Sequence, residues 1–187
     1  MSPSQVINDA KTNLEVALAR FEDEAKKLRT GRAHPSMLDG ITVEAYEQQM
    51  PLIQVATITT PEPQLIQVSP FDPNNIQAIA AAIRDNQSLG LNPTDDGRII
   101  RVPIPPLTTE RRQQIVKTLG EKTEDCMIAF RNVRHDALKT LDLAKKDKDI
   151  SEDEHSRLSR QIDDLMTQYK NKADEVAKQK EKEILTI

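Results

Sequence analysis

The sequence predicts an α+β protein: an elongated three-helix bundle with a small strand-bearing domain inserted into it. Three observations carry that prediction. Apolar residues recur at alternating steps of three and four in three long stretches, the periodicity of a bundle seam. Ten of the eleven prolines fall between Pro35 and Pro106, where the pattern shortens to strand-like runs. Between Arg32 and Pro106 there is also no lysine. Four arginines (Arg32, Arg84, Arg98, Arg101) face eight acids there, whereas the flanking segments balance at 22 basic and 22 acidic residues.

The first helix opens at Ser2-Pro3-Ser4-Gln5, with Ser2 as cap, Pro3 at the first helical position and Gln5 completing a capping box. Val6, Ala10, Leu14, Ala17, Phe21 and Leu28 form its stripe. The helix is expected to stop near Thr30-Gly31, with Lys26, Lys27 and Arg29 at its negative end. Arg32 and His34 extend this basic cluster, which reads either as dipole compensation or as an anion contact.

Past Pro35 the runs Ile41–Tyr46, Val55–Thr59 and Leu65–Val68 alternate as strands do. Asp72-Pro73 starts a short helix with Ile76, Ile79, Ala80 and Ile83 on one face, and Asp95-Asp96-Gly97 turns into a last strand, Arg98–Val102. About seventy residues is close to the lower limit for an independent core. The expected boundaries are residues 1–31 and 106–187 for the bundle and 32–105 for the small domain. The chain leaves at Gly31-Arg32 and returns through Pro103-Ile104-Pro105-Pro106, so these six residues are the candidate hinge.

The central helix carries Ile115, Leu119, Cys126, Phe130, Val133, Ala137, Leu141 and Ala144 on one stripe. Thr108 can cap it, and Glu110 meets the positive end of its dipole. No proline follows Pro106. From Thr109 to Lys146 it would run about 57 Å at 1.5 Å per residue, so other long helices must lie beside it. A second capping box, Ser151 with Glu154, opens the last helix, whose stripe is Leu158, Ile162, Leu165, Tyr169, Ala173 and Val176. The short link from Lys145 to Ile150 makes these two helices antiparallel neighbours.

Arg131, Arg134 and His135 sit at i, i+3 and i+4 and share a face, expected to point away from the Phe130/Val133/Ala137 stripe. That face is either a solvated basic surface or an anion patch suited to phosphate. Little else carries chemistry. The five glycines are scattered, so no phosphate-cradling loop exists. His34, His135, His155 and Cys126 lack metal-ligand spacing. No nucleophile elbow occurs, and His155 beside Asp153 and Glu154 reads as a first-turn surface residue. Asp163-Asp164 reads as a solvated pair. No catalytic residue and no metal site are expected. Cys126 alone excludes an intramolecular disulfide and reads as a small core residue in a reducing compartment. The N-terminus lacks a signal-peptide pattern and the longest apolar run, Ala78–Ile83, is far too short to span a membrane. A soluble cytoplasmic protein is expected. At net charge −4, any RNA binding must use local clusters.

Several ordered motifs then accumulate. They are Leu28-Arg29-Thr30-Gly31-Arg32-Ala33, Leu89-Gly90-Leu91-Asn92-Pro93, Asp96-Gly97-Arg98-Ile99-Ile100-Arg101, and Pro105-Pro106-Leu107-Thr108-Thr109-Glu110-Arg111-Arg112. Arg131-Asn132-Val133-Arg134-His135-Asp136 and Lys148-Asp149-Ile150-Ser151-Glu152-Asp153 follow. Together they resemble the ribosome recycling factor family over essentially the whole chain. The resemblance implies an L-shaped, tRNA-sized molecule in which the bundle and a small inserted β/α/β domain join at a flexible two-stranded hinge. It also implies a translation factor that, with elongation factor G and GTP hydrolysed by that partner, dissociates the post-termination ribosome and releases mRNA and tRNA. The bundle would lie on large-subunit ribosomal RNA, while the small domain faces the subunit interface and elongation factor G. RNA contacts would fall on Arg29, Arg32, Arg131 and Arg134, with His135 standing where many members have another arginine. Glu47 stands where the family often has glycine, which bears on the turn there. No cofactor of its own is implied, and the intramolecular bundle is expected to be monomeric. The competing reading, motivated by the near-neutral helical portion, is a non-catalytic coiled-coil scaffold presenting the small domain to a protein partner.

Overall fold

The computed structural model describes residues 2–186. It divides into two compact units: the chain up to Thr30 together with the chain from Thr109 on, and Gly31–Thr108.

Helix α1 (Pro3–Lys26) buries Val6, Ala10, Leu14, Leu18, Phe21 and Ala25. Its ends differ from expectation. Ser2 occupies the N-cap but its side chain makes no cap bond; the hydroxyl lies 3.1 Å from Ser4 Oγ, and the Ser2 carbonyl accepts the Gln5 and Val6 N–H groups instead. The helix also stops at Lys26, before Thr30. Ala25 is its last core residue and Leu28 is only half-buried, so little apolar burial rewards a further turn.

The small unit begins with a hairpin, β1 (Thr42–Ala45) against β2 (Gln48–Pro51). One helical turn, α2 (Leu52–Val55), leads into β3 (Ala56–Glu62) and β4 (Leu65–Pro70). A 3-10 turn, Pro73–Asn75, feeds α3 (Ile76–Asp85), followed by β5 (Thr94–Asp95) and β6 (Ile100–Pro103). The second sheet is antiparallel in the order β3-β4-β6-β5. Pro61 is tolerated because β3 is an edge strand whose register shifts between Thr59 and Glu62. Val43, Ile66, Val68, Ile79, Ile83, Ile100 and Val102 are fully buried and make one core. Asp72 accepts the Asn74 N–H at 3.0 Å, capping the turn that starts the helical run.

At the β1–β2 turn both Tyr46 (φ 53°) and Glu47 (φ 61°) are left-handed. That is the backbone of a type I′ hairpin turn, which favours glycine or asparagine. Tyr46 is tied down by its hydroxyl, which donates to Asp72 Oδ2 at 2.9 Å.

The chain then forms α4 (Thr109–Lys146) and α5 (Glu152–Leu185), of 38 and 34 residues. Ser151 Oγ accepts the Glu154 N–H at 3.1 Å, the expected cap of α5. The core of this unit runs through Ile115, Leu119, Cys126, Phe130, Ala137 and Leu141 of α4 and Leu158, Ile162, Tyr169 and Ala173 of α5. Phe130 meets Tyr169 edge to face at 6.3 Å. The Tyr169 hydroxyl donates to Glu15 Oε1 on α1 at 2.9 Å, so its polar end is satisfied.

Candidate nucleic-acid interface

Arg131 and Arg134 are exposed, at 60% and 44% of their side-chain surface, so neither is a core residue. They are not unpaired, however. Arg131 Nη2 lies 2.6 Å from Glu124 Oε1, two turns back on the same helix. Arg134 Nε donates to Asp163 Oδ1 of α5 at 2.7 Å. His135 is exposed beside them.

The expectation that all three point well away from the apolar stripe is corrected for Arg134. It stands seven residues after Met127 and seven before Leu141, both buried. A seven-residue step returns to nearly the same face of a helix. Arg134 therefore leaves α4 at the edge packed on α5, and its aliphatic stem carries the guanidinium out to Asp163. Arg131 and His135 lie farther round, toward solvent.

Two further pairs share this seam. His155 Nε2 lies 2.7 Å from Asp142 Oδ1, and Lys145 Nζ lies 2.7 Å from a Glu152 carboxylate oxygen. Arg134, Asp142 and Lys145 are spaced by eight and three residues, and so are Asp163, His155 and Glu152 in reverse order. The pairs thus form one antiparallel ladder. His155 and Asp163 are members of it, not the independent surface groups their local sequence suggests. Lys145 holds the Glu152 carboxyl below the usual carboxylate range.

Arg29 and Arg32 are not part of this cluster. Glu24 of α1 pairs with Lys122 at 3.9 Å, while Ala10 packs in the cluster of Ala137 and Leu141. Arg29, beyond Glu24, therefore lies toward the Ile115 end of α4, about 20 Å along the bundle from Arg131 at 1.5 Å per residue. It is half-buried and follows the end of α1. Arg32 is exposed and belongs to the other unit.

Of the six candidate hinge residues, two are fixed into the small unit. Pro103 ends β6 opposite Leu65. Ile104 is 3% exposed, sits in the small-unit core and donates its N–H to Gln64 O at 2.8 Å. The Ala33 N–H is likewise bonded to Pro63 O at 2.6 Å. Gly31 has φ +79°. The connecting strands shorten to Gly31-Arg32 on one side and Pro105 to Thr108 on the other.

Among the described residues no group of three or more His, Cys, Asp or Glu side chains could hold a metal. A groove of about 360 Å³ between α1 and α4 has apolar walls including Val16, Phe21 and Val133 and reaches Cys126. No histidine lines it, so no thiol–imidazole pair forms there. None of the described helices is long and apolar enough to cross a membrane.

The model of one family, ribosome recycling factor, matches residues 21–185. A ribosome-recycling factor of Sorangium cellulosum is 43% identical over 182 residues, 97% of this chain and 98% of that protein. One from Rickettsia massiliae is 42% identical over 187 residues, the full length of both. A solution structure of a ribosome recycling factor superposes with a TM-score of 0.77 at 34% identity, over 100% of this chain and 99% of that one. A T. thermophilus ribosome recycling factor, in a structure with E. coli elongation factor G bound to the E. coli post-termination complex, superposes with a TM-score of 0.64. It is 38% identical over 99% of this chain and 100% of that one.

Proposed function

The chain belongs to the ribosome recycling factor family, and from that premise we propose how its residues do the family's work on the post-termination ribosome. It is a translation factor whose partners are the ribosome and elongation factor G. Together with that GTPase it dissociates the ribosome into subunits, freeing mRNA and tRNA for a new round of synthesis. The chain has no phosphate-cradling glycine loop, so the GTP belongs to elongation factor G. Its own contribution is non-catalytic: it occupies a place at the subunit interface and transmits force through long packed helices. It works in the cytoplasm, without a cofactor, as a monomer whose bundle closes within one chain.

The exposure of Arg131 and Arg134 carries the site assignment. Exposed ion pairs contribute only about 0–1 kcal/mol, so phosphate oxygens can replace Glu124 on Arg131 at little cost. Guanidinium forks suit such oxygens. Arg29 on the helical unit and Arg32 on the small unit each add a contact of their own, and His135 adds a weaker contact than arginine would. Gly31, Arg32, Pro105 and Pro106 act as the hinge, with Pro103 and Ile104 moving as part of the small unit. A spread of interdomain angles in small-angle scattering tests this; one rigid shape fitting the data would reject it.

The decisive experiment is splitting of a reconstituted post-termination complex. Subunits should separate only when this protein, elongation factor G and GTP are all present. Separation that ignores omission of this protein would refute the reading.

A further inference from the structure

The two arginines of the face are held in chemically different ways. Glu124 bonds Arg131 through Nη2, one of the terminal nitrogens that a phosphate would use. Asp163 bonds Arg134 through Nε, on the inner edge of the guanidinium. No other hydrogen bond of Arg134 appears among the described residues, so its Nη1 and Nη2 remain available. Resting on the RNA-binding reading above, we propose that Asp163 is a positioning residue: it holds Arg134 by Nε and presents the terminal pair of nitrogens to a ribosomal RNA phosphate.

The physical reason is the freedom of a long side chain. An unrestrained surface arginine must give up its rotamer freedom when it engages a phosphate, which lowers affinity. Arg134 is restrained before binding. Its stem lies along the α4–α5 seam, and Nε is anchored on an acid of the neighbouring helix. The same ladder that sets the helix register, His155 on Asp142 and Lys145 on Glu152, places Asp163 opposite Arg134. A planar guanidinium anchored at Nε keeps Nη1 and Nη2 in a defined plane, the arrangement for a bidentate contact. Glu124 differs in kind. It occupies a terminal nitrogen and competes with RNA, so it serves as the internal contrast.

The test is equilibrium binding of the full-length protein to purified large ribosomal subunits at moderate salt, with melting temperature recorded for each variant. Asp163→Ala removes the anchor and should weaken binding about three- to tenfold, the effect of releasing one immobilised long side chain. Asp163→Asn keeps an acceptor oxygen for Nε and should bind within about twofold of wild type, because it retains the anchor while removing an exposed charge. Glu124→Gln should bind as tightly as wild type or more tightly. In an Arg134→Ala background, Asp163→Ala should have no further effect. Asp163→Ala binding as tightly as wild type, or Asp163→Asn losing as much as Asp163→Ala, would overturn the positioning role. Loss on Arg134→Ala without loss on Asp163→Ala overturns the positioning alone. No loss on either also removes RNA from this face.

Discussion

Arg134 Nε and Asp163 Oδ1 meet at 2.7 Å across the seam of α4 and α5, two rungs from Lys145 and Glu152 in the same antiparallel register. The Arg134–Asp163 and Lys145–Glu152 rungs are exposed and contribute little stability by themselves, while His155 of the middle rung is largely covered. Their combined effect is on alignment. Sliding one helix by a turn would part all three pairs at once, while apolar contacts tolerate such a slip better. The seam therefore does two jobs with one set of polar pairs: it selects the helix register and fixes where the Arg134 guanidinium stands.

A phosphate contact should show in the salt dependence of binding. Affinity for large subunits should fall as salt rises, and Arg134→Ala should lower the slope of log K against log salt by about one unit. Because the lost pair is at the surface, stability should change by no more than about 1 kcal/mol. A melting temperature collapsing on Arg134→Ala with an unchanged salt slope would make the arginine structural.

Phe130 occupies the opposite extreme. It is 0% exposed and makes the edge contact with Tyr169. Phe130→Ala should cost about 3–5 kcal/mol, a transfer term plus the cavity left behind. Urea titration followed by the helical signal measures it. A loss under 1 kcal/mol would show that the bundle collapses around the gap. The neighbouring Arg131→Ala is the control and should be nearly silent in the same titration.

What the sequence makes legible is what depends on periodicity and local chemistry. The stripe from Ile115 to Ala144 lies on the buried or half-buried side of α4, and Ile76, Ile79, Ala80 and Ile83 are buried as one face of α3. Ser151 caps α5 because its hydroxyl needs only the next turn. Partners set by register are hidden. Asp163 and His155 look like isolated surface groups until two helices are aligned, and no local pattern gives the offset. Strand β2 is also hidden. Gln48 and Gln49 are exposed, so no apolar alternation marks it, and its order comes from backbone pairing with β1. Pro103 and Ile104 look like a flexible connector by composition, yet one pairs with β4 and the other is buried.

The β1–β2 turn offers a stabilising substitution. Glu47 holds φ 61°, a conformation costing a non-glycine residue roughly 1–2 kcal/mol. Glycine removes that strain but makes the unfolded chain more flexible, costing back roughly 0.5–1 kcal/mol. Glu47→Gly should therefore stabilise the small unit by up to about 1 kcal/mol. Chemical denaturation read on amides of β4 and β6 by NMR would detect it. Destabilisation would mean the Glu47 side chain supports the turn in a way its backbone does not reveal.

Cys126 is 5% exposed, its thiol 3.9 Å from Ala17 O, and burial pushes its pKa up to about 11, with the Glu24 charge adding to the effect. A raised folded value favours the neutral thiol. The resulting stabilisation is fully present below the unfolded thiol value of 9.0 and fades as pH climbs toward about 11. At pH 8 the native protein should thus react with a thiol-specific disulfide reagent only when α1 opens from α4, because thiolate is the reactive form and burial blocks access. Labelling should be slow without denaturant and accelerate with urea in step with loss of helical signal. Prompt stoichiometric labelling at pH 8 in native buffer would contradict the packing of α1 over Cys126.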